Sequence, residues 1–318
     1  MKITGNTKIV GIFGDPVGQT LSPAMHNAAF EALGLDMAYV PFHVRPMDLG
    51  EAVRAVRALN MRGVNVTIPH KEEVLKHLDG VDDHARDIGA VNSIVNRDSI
   101  LVGYNTDGPG YLLSLRDDAG CAPAGKNVVI IGAGGAARSI SYAVLGAKPA
   151  SVTIANRTRD RAVELAAEFR KKFRGVDIHA APLEKEALRP LMRSTDIVVN
   201  TTSLGMMGKG VLDLPIEELP PHAVVSDIVY RPIETDIIRK AAARGIKTHG
   251  GLGMLVRQGA ITFELWTGRK APLDAMRKAA MEEFELEQET IARPGKAREQ
   301  AGKAAVEEPE RDPQKLKR

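Results

Sequence analysis

The 318-residue chain predicts an α/β protein made of two units, and three observations carry that prediction. Strand-like and helix-like segments alternate from Lys8 to His249, the pattern of a sheet whose parallel strands are joined by helices. Polar segments recur where strands run out, at the rim where open α/β sheets collect ligands. A glycine-rich run, Gly132-Ala133-Gly134-Gly135-Ala136-Ala137, follows the apolar segment Val128 to Ile131, so a second alternating block starts mid-chain.

Taken in order, the apolar spacing predicts strands over Lys8 to Phe13, Ala38 to Val44 and Gly63 to Ile68. Helices are predicted over Pro23 to Leu33, Asp48 to Leu59 and Lys71 to Leu78, which makes the first block α/β with a largely parallel sheet. Ser22 before Pro23 reads as a helix cap, since proline at the first helical position loses no needed donor. A strand over Leu101 to Gly103 precedes Asp107, and a helix over Pro109 to Ala119 leads into the second block. Strands there fall at Asn127 to Ile131, Val152 to Ala155, Asp177 to Ala180, Asp196 to Asn200, Ala223 to Asp227 and Lys247 to His249. Helices fit Ala136 to Leu145, Arg161 to Phe173 and Thr235 to Arg244. Two more, Met254 to Trp266 and Leu273 to Phe284, are expected to pack back on the first block. The expected division is 1–108, completed by helices of about 251–284, then 109–250. From about Glu285 large apolar side chains almost vanish, so 285–318 is expected to be a disordered charged tail.

Composition excludes several classes. An apolar fraction of 44% and a charged fraction of 26% are ordinary for a globular chain and name no activity. The single cysteine, Cys121, allows no intramolecular disulfide and no thiolate cluster, and no metal site is visible. A net charge of +3 and 4% aromatic residues give little support for nucleic-acid binding. No window approaches ~18 consecutive apolar residues, and Met1 to Asn6 carries no apolar core of signal-peptide length. The expectation is a cytoplasmic protein with no membrane or nucleic-acid partner. Monomer and homodimer fit equally.

Three constellations carry chemistry. A glycine turn between a buried strand and a helix lets backbone approach a pyrophosphate, which then faces the positive end of the helix dipole. The next strand ends in Asn156-Arg157-Thr158, where an acid would bind a free ribose 2′-hydroxyl. An arginine suits a 2′-phosphate instead, and Arg161 lies close by, so the reading is a Rossmann-type unit binding NADP. Asn65-Val66-Thr67-Ile68-Pro69-His70-Lys71 puts a lysine where a strand runs out, readable equally as a site cation or as a solvated lysine. In Tyr104-Asn105-Thr106-Asp107-Gly108 local evidence favours Asp107 as a helix cap. Asn92-Ser93 and Thr20-Leu21-Ser22 are expected to converge on the same rim.

Nine ordered segments together resemble the shikimate dehydrogenase family: G-D-P-V-G-Q-T-L-S-P-A-M-H-N, N-V-T-I-P-H-K, G-A-V-N-S, G-Y-N-T-D-G, G-A-G-G-A-A-R, N-R-T, N-T-T-S-L-G-M, D-I-V-Y and G-M-L-V-R-Q-G-A. The resemblance implies an N-terminal α/β substrate domain and a Rossmann-type NADP-binding domain. It implies Lys71 and Asp107 as the catalytic pair, with Thr20, Ser22, Thr67, Asn92 and Gln258 holding the substrate and Tyr230 and Gly251 at its junction with the nicotinamide. Gly132, Gly134, Gly135 and Ala136 then meet the pyrophosphate, Asn156, Arg157, Thr158 and Arg161 the adenosine phosphate, and Met254 the nicotinamide. The chain departs from the family at Thr20, where many relatives have serine; threonine keeps the hydroxyl and adds a methyl. The activity implied is reversible hydride transfer between NADPH and the C3 carbonyl of 3-dehydroshikimate, giving shikimate for chorismate and aromatic amino-acid biosynthesis. The alternatives are a quinate/shikimate dehydrogenase using NAD or both cofactors, and a nucleotide-binding regulator without turnover.

Overall fold

The computed structural model describes residues 2–292. The first sheet comprises β1 (Lys8–Gly14), β2 (Met37–His43), β3 (Gly63–Val66), β4 (Gly80–Val81), β5 (Ser93–Arg97) and β6 (Ile100–Tyr104), in the order β2-β1-β3-β5-β6-β4. It is mixed: β5 runs antiparallel to both β3 and β6, while the other pairings are parallel, so β5 alone is reversed. Its helices are α1 (Ser22–Ala32), α2 (Leu49–Ala58) and the short α3 (Asp83–Ile88). Met25, Ala29 and Phe30 of α1 bury one face of the sheet against Val10, Ile12 and Tyr39. Val53 and Val56 of α2 cover the other at Val64 and Val66.

Two expectations are corrected in this unit. Leu21 is the N-cap of α1 and Ser22 its first helical residue, with no side-chain cap bond, so the Ser22 hydroxyl is not committed to the helix end. No helix begins at Lys71; a 3-10 turn covers only Glu73–His77. The backbone before it is held by the sheet: Thr67 N donates to Phe13 O and Val91 N to Lys71 O, and the buried His70 ring bonds Val44 O.

Helix α4 (Asp107–Ala119) leads into the second sheet. Its strands are β7 (Asn127–Ile131), β8 (Ser151–Asn156), β9 (Asp177–Pro182), β10 (Ile197–Asn200), β11 (Val224–Asp227) and β12 (Lys247–His249). All pairings are parallel, in the order β9-β8-β7-β10-β11-β12. The chain leaves β7 in one direction across the sheet and returns to β10 on its other side, the dinucleotide-binding order with its crevice between β7 and β10. Alternate residues of β7 serve opposite layers. Val128 and Ile130 pack with α5 (Gly135–Gly146) and α6 (Arg159–Lys172), whereas Val129 and Ile131 pack with α7 (Lys185–Met192) and α8 (Asp236–Ala243).

The chain then returns to the first unit through α9 (Gly251–Thr267) and α10 (Leu273–Ala292). Phe263 and Trp266 of α9 and Met276 and Ala280 of α10 join the α1 core, as expected from the sequence. Helix α10 runs past Phe284 to Ala292, which corrects the expectation of disorder from Glu285; Glu287 there pairs with the buried Arg231, a partner composition cannot reveal. The rest of the expected tail lies outside the described residues. Among the described residues, no helix is long and apolar enough to cross a membrane, and no cluster of His, Cys, Asp or Glu is arranged to hold a metal.

Helices α4 and α9 cross where Gly110 has no side chain: a Cβ there would lie 2.6 Å from Gln258 N and 2.8 Å from Gln258 Cα. Gly110→Ala is therefore expected to destabilise the protein by about 2–3 kcal/mol, since backbone cannot swing aside. Gly146, with open space around it in the last turn of α5, is the control. Gly146→Ala should be neutral or stabilising by up to about 1 kcal/mol, and thermal melts of both variants check the contrast.

Candidate active site

Lys71 leaves the carboxyl end of β3 on the fixed turn described above, and Asp107 opens α4. Their side chains meet, Lys71 Nζ donating to Asp107 Oδ2 at 2.5 Å, with the side chains 15% and 6% exposed. Asp107 is not the helix cap, because Thr106 holds that position without a side-chain cap bond. The cap expectation fails for a spatial reason. The carboxylate is turned toward Lys71, and Asn92 Nδ2 donates to its other oxygen at 2.9 Å.

Asn92 is the hub of a buried polar network. Its Nδ2 also lies 2.9 Å from Thr106 Oγ1 and 3.3 Å from Gln258 Oε1, while its Oδ1 accepts from Thr106 N at 2.8 Å. Thr106 Oγ1 meets Thr262 Oγ1 at 3.1 Å, and Thr262 meets Ser93 Oγ at 2.6 Å. Asn65 donates to Ser93 Oγ at 3.0 Å and accepts from the Tyr39 hydroxyl at 2.9 Å. Lys71, Asp107, Asn92 and Gln258 are thus brought together, on a floor of satisfied polar groups that hold each other's rotamers. Thr106 and Thr262, which link these residues, went unnoticed in the sequence. Thr106 lies within G-Y-N-T-D-G, whereas Thr262 sits in a helical stretch with no sequence signal of its own.

A second group forms at the start of α1. Thr20 Oγ1 accepts from Ser22 N at 3.2 Å, and the Thr20 hydroxyl faces the Tyr230 phenol. Burial pushes the Tyr230 phenol up, with the Arg231 cation and the Thr20 bond opposing. The buried Tyr39 phenol is raised well above its usual range for the same first cause, with the Ser22 hydroxyl opposing. Thr67 is half-buried against Gly14, where a Cβ would stand 2.5 Å from Thr67 Cγ2.

The glycine turn faces this region. Gly132 has φ +116 and a Cβ there would meet Thr201 Oγ1 at 2.6 Å, so conformation and packing both require glycine. Gly135 brings backbone against Lys71, whose Cβ and Cδ would stand 3.0 and 3.4 Å from an added Cβ. Gly134 is different: its φ is ordinary at −96, and nothing lies within 4 Å of its Cβ position. The protein itself gives no reason for glycine there, whereas a diphosphate approaching the amino end of α5 does. Ala136 is half-buried in that first helical turn. At the end of β8, Asn156 Nδ2 donates to Thr158 O at 2.8 Å, and Arg157 and Thr158 are exposed. Arg161 Nη2 stands 3.9 Å from Glu72 Oε1 of the first unit, with both side chains about half exposed. These donors fit a 2′-phosphate. Gly251 and Met254 lie in the first turn of α9, Gly251 packed against Ile228 O and Met254 buried in the second unit's core.

Asp227, at the end of β11, heads the segment D-I-V-Y, whose sequence alone assigns it no role. It is buried and accepts from Thr235 Oγ1 at 2.7 Å, Asn200 Nδ2 at 2.9 Å and Val229 N at 3.0 Å, pinning the segment that carries Tyr230. Burial raises its carboxyl to about 6.

A parallel dinucleotide sheet whose glycine turn abuts a buried pair, Lys71 from the turn after β3 and Asp107 of α4, defines a two-unit, nucleotide-dependent oxidoreductase. Family models match in three stretches: the shikimate dehydrogenase substrate binding domain over residues 12–94, shikimate / quinate 5-dehydrogenase over 118–207, and the shikimate 5'-dehydrogenase C-terminal domain over 251–281. The chain is 45% identical over 281 residues to the shikimate dehydrogenase (NADP+) of Geobacter sulfurreducens, covering 88% of this chain and 98% of the relative. A Thermus thermophilus shikimate 5-dehydrogenase solved with NADP(H) and shikimate superposes with TM-score 0.77 at 39% identity, covering 86% of this chain and 99% of that one. A ligand-free 5-ketofructose reductase of a Gluconobacter strain superposes with TM-score 0.78 at 36% identity, covering 88% and 100%. The chain belongs to the shikimate dehydrogenase family.

Asp227 gives a pH-dependent expectation. Because its folded value lies above the ordinary 3.8, the folded state holds the proton longer, and ionisation costs stability progressively from about pH 4 to pH 6. The stability of the wild type relative to Asp227→Asn should therefore be greatest near pH 4 and fall by about 3 kcal/mol by pH 7. Denaturant melts of both proteins across that range measure the difference.

Proposed function

We propose that this chain is an NADP-dependent shikimate dehydrogenase, catalysing reversible hydride transfer between NADPH and the C3 carbonyl of 3-dehydroshikimate to give shikimate. The observation that carries the reading is the Lys71–Asp107 pair, 2.5 Å apart and nearly buried, with the Gly135 backbone against the lysine stem. When bound, the dinucleotide supplies the hydride. Reduction leaves negative charge on the carbonyl oxygen; the Lys71 ammonium stabilises that charge, and the Lys71–Asp107 pair supplies the proton that the oxygen takes up. Asp107 orients the ammonium and accepts a bond from a neighbouring substrate hydroxyl. Asn92 holds Asp107 in place, and Gln258 approaches from α9. Thr20, Ser22, Thr67 and Tyr230 bind the substrate, the first two offering hydroxyls to its carboxylate.

Gly132, Gly134, Gly135 and Ala136 receive the pyrophosphate at the amino end of α5, and Asn156, Arg157, Thr158 and Arg161 the 2′-phosphate. Gly251 and Met254 flank the nicotinamide. Residues 1–108 with α9 and α10 form the substrate unit, and 109–250 the NADP unit. The reading carries with it a cytoplasmic enzyme of aromatic amino-acid biosynthesis, acting on a small molecule as a monomer or homodimer.

Nucleotide absorbance with shikimate or quinate crossed against NADP+ or NAD+, and with 5-ketofructose against NADPH, tests this reading. Turnover of shikimate with NADP+ is expected. Comparable rates with quinate or NAD+ point to the catabolic relative, faster reduction of 5-ketofructose to a sugar reductase, and no turnover to a binding protein. Lys71→Met should lower kcat by about 10²–10⁴-fold with little change in KM, as expected for a contact made in the transition state. Ser22→Ala should act on KM for shikimate instead, and steady-state kinetics separate the two outcomes. Arg157→Ala should raise KM for NADP+ about tenfold or more while leaving NAD+ kinetics nearly unchanged, a difference the same assay reads.

A further inference from the structure

We propose that Glu287 is a positioning residue: through Arg231 it straps α10 across the segment carrying Tyr230 and holds the carboxylate-binding end of the substrate site in place. The substrate role rests on the functional reading above; the strap itself does not.

Arg231 immediately follows Tyr230, and its side chain is 7% exposed. Its Nη1 is paired with Glu287 Oε2, while Nε and Nη2 are buried with no hydrogen-bond partner among the described residues. A buried guanidinium so poorly supplied with acceptors depends heavily on its one carboxylate. Removing that charge leaves the cation uncompensated, and the guanidinium must then seek water, drawing its backbone with it.

The backbone it would draw is connected to the site on two sides. Tyr230 feels both the Arg231 cation and the Glu287 anion, and its phenol faces the Thr20 hydroxyl. Arg231 O accepts from Met207 N at 2.6 Å, so the same residue also fixes the loop after β10. Helix α10 packs along α1, whose amino end bears Thr20 and Ser22. A crevice of about 320 Å³ beside Thr20 and Asn27 is walled by Glu283 and Glu287 of α10. One helix therefore touches both walls of the site's carboxylate end: α1 by packing, and the Tyr230 segment by the ion pair. The C-terminal family model ends at residue 281, so Glu287 lies beyond it.

The experiment compares the full-length wild type with Glu287→Gln and the conservative Glu287→Asp. Hydrogen–deuterium exchange across residues 228–235 is expected to rise in the Gln variant and to return most of the way in the Asp variant. KM for shikimate should rise about fivefold in the Gln variant, with kcat and KM for NADP+ within about twofold of wild type. Unchanged exchange at 228–235 overturns the strap. Raised exchange with an unchanged KM for shikimate overturns the positioning role, as does a fall in melting temperature with kcat and both KM values moving together. If the wild type does not oxidise shikimate, the functional reading fails, and the exchange data alone support or overturn the strap.

Discussion

Helix α4 belongs to both halves of the molecule, and the site depends on where its first turn is held. At Gly108 a Cβ would meet Ser139 O of α5 at 2.6 Å, and at Gly110 it would meet the α9 backbone at similar range. Two missing side chains thus let one helix lie against the nucleotide unit on one side and the returning α9 on the other. Asp107 is the residue before the first of these contacts, so its carboxylate is placed by the packing of three helices. Its negative charge also sits at the positive end of the α4 dipole, a favourable position for an anion. Lys71 comes to it from β3 of the other sheet, and the Gly135 turn closes on the lysine stem.

The two ends of the cleft are built on different physical terms. Beneath Asp107 the chain of Tyr39, Asn65, Ser93, Thr262, Thr106 and Asn92 is buried, and each member finds a partner within it. Leaving any one of these groups unpaired would cost about 1–3 kcal/mol, so the network resists partial rearrangement and keeps the Lys71–Asp107 end in one geometry. At the other end, Arg157 and Thr158 stand in solvent and Arg161 is only loosely matched to Glu72. An exposed arginine keeps its planar fork free for bidentate contact with a phosphate, and leaving it in solvent costs folding little.

Much of this was legible in the sequence because parallel strands buried on both faces read as apolar runs, as Val128 to Ile131 does. The glycine turn was legible from its place between such a run and a helix. What escaped was decided at a distance. The two-residue β4 and the six-residue α3 are too short for a periodic signal, and the reversal of β5 appears only in pairing. An acid at a helix start gives the same local signal whether it caps the helix or meets a lysine 36 residues away, and only the fold separates the two at Asp107. Lys71 was misplaced on a helix because its carbonyl is claimed by Val91 N, a pairing invisible in its own segment. The last turns of α10 read as disordered tail because the buried Arg231 that meets Glu287 lies 56 residues earlier, 287 minus 231.

Burial also orders the sensitivity of these parts to their surroundings. The Lys71–Asp107 pair, 15% and 6% exposed, lies where salt screens weakly, whereas Arg161 and Glu72 are 56% and 46% exposed. Under the proposed reading a 2′-phosphate, with up to about two negative charges and three acceptor oxygens, competes for Arg161 against a single carboxylate at 3.9 Å. It gains Arg157 as well, an exposed cation on the same strand end. Glu72 is adjacent to Lys71, so a cofactor that takes Arg161 from it releases an ion pair between that turn and α6. Under that same reading cofactor selection is set by exposed charge that added salt weakens, while the chemistry is set by buried charge that salt barely reaches. The expected outcome of an ionic-strength series under the proposed reading is a rise in KM for NADP+ well before any fall in kcat.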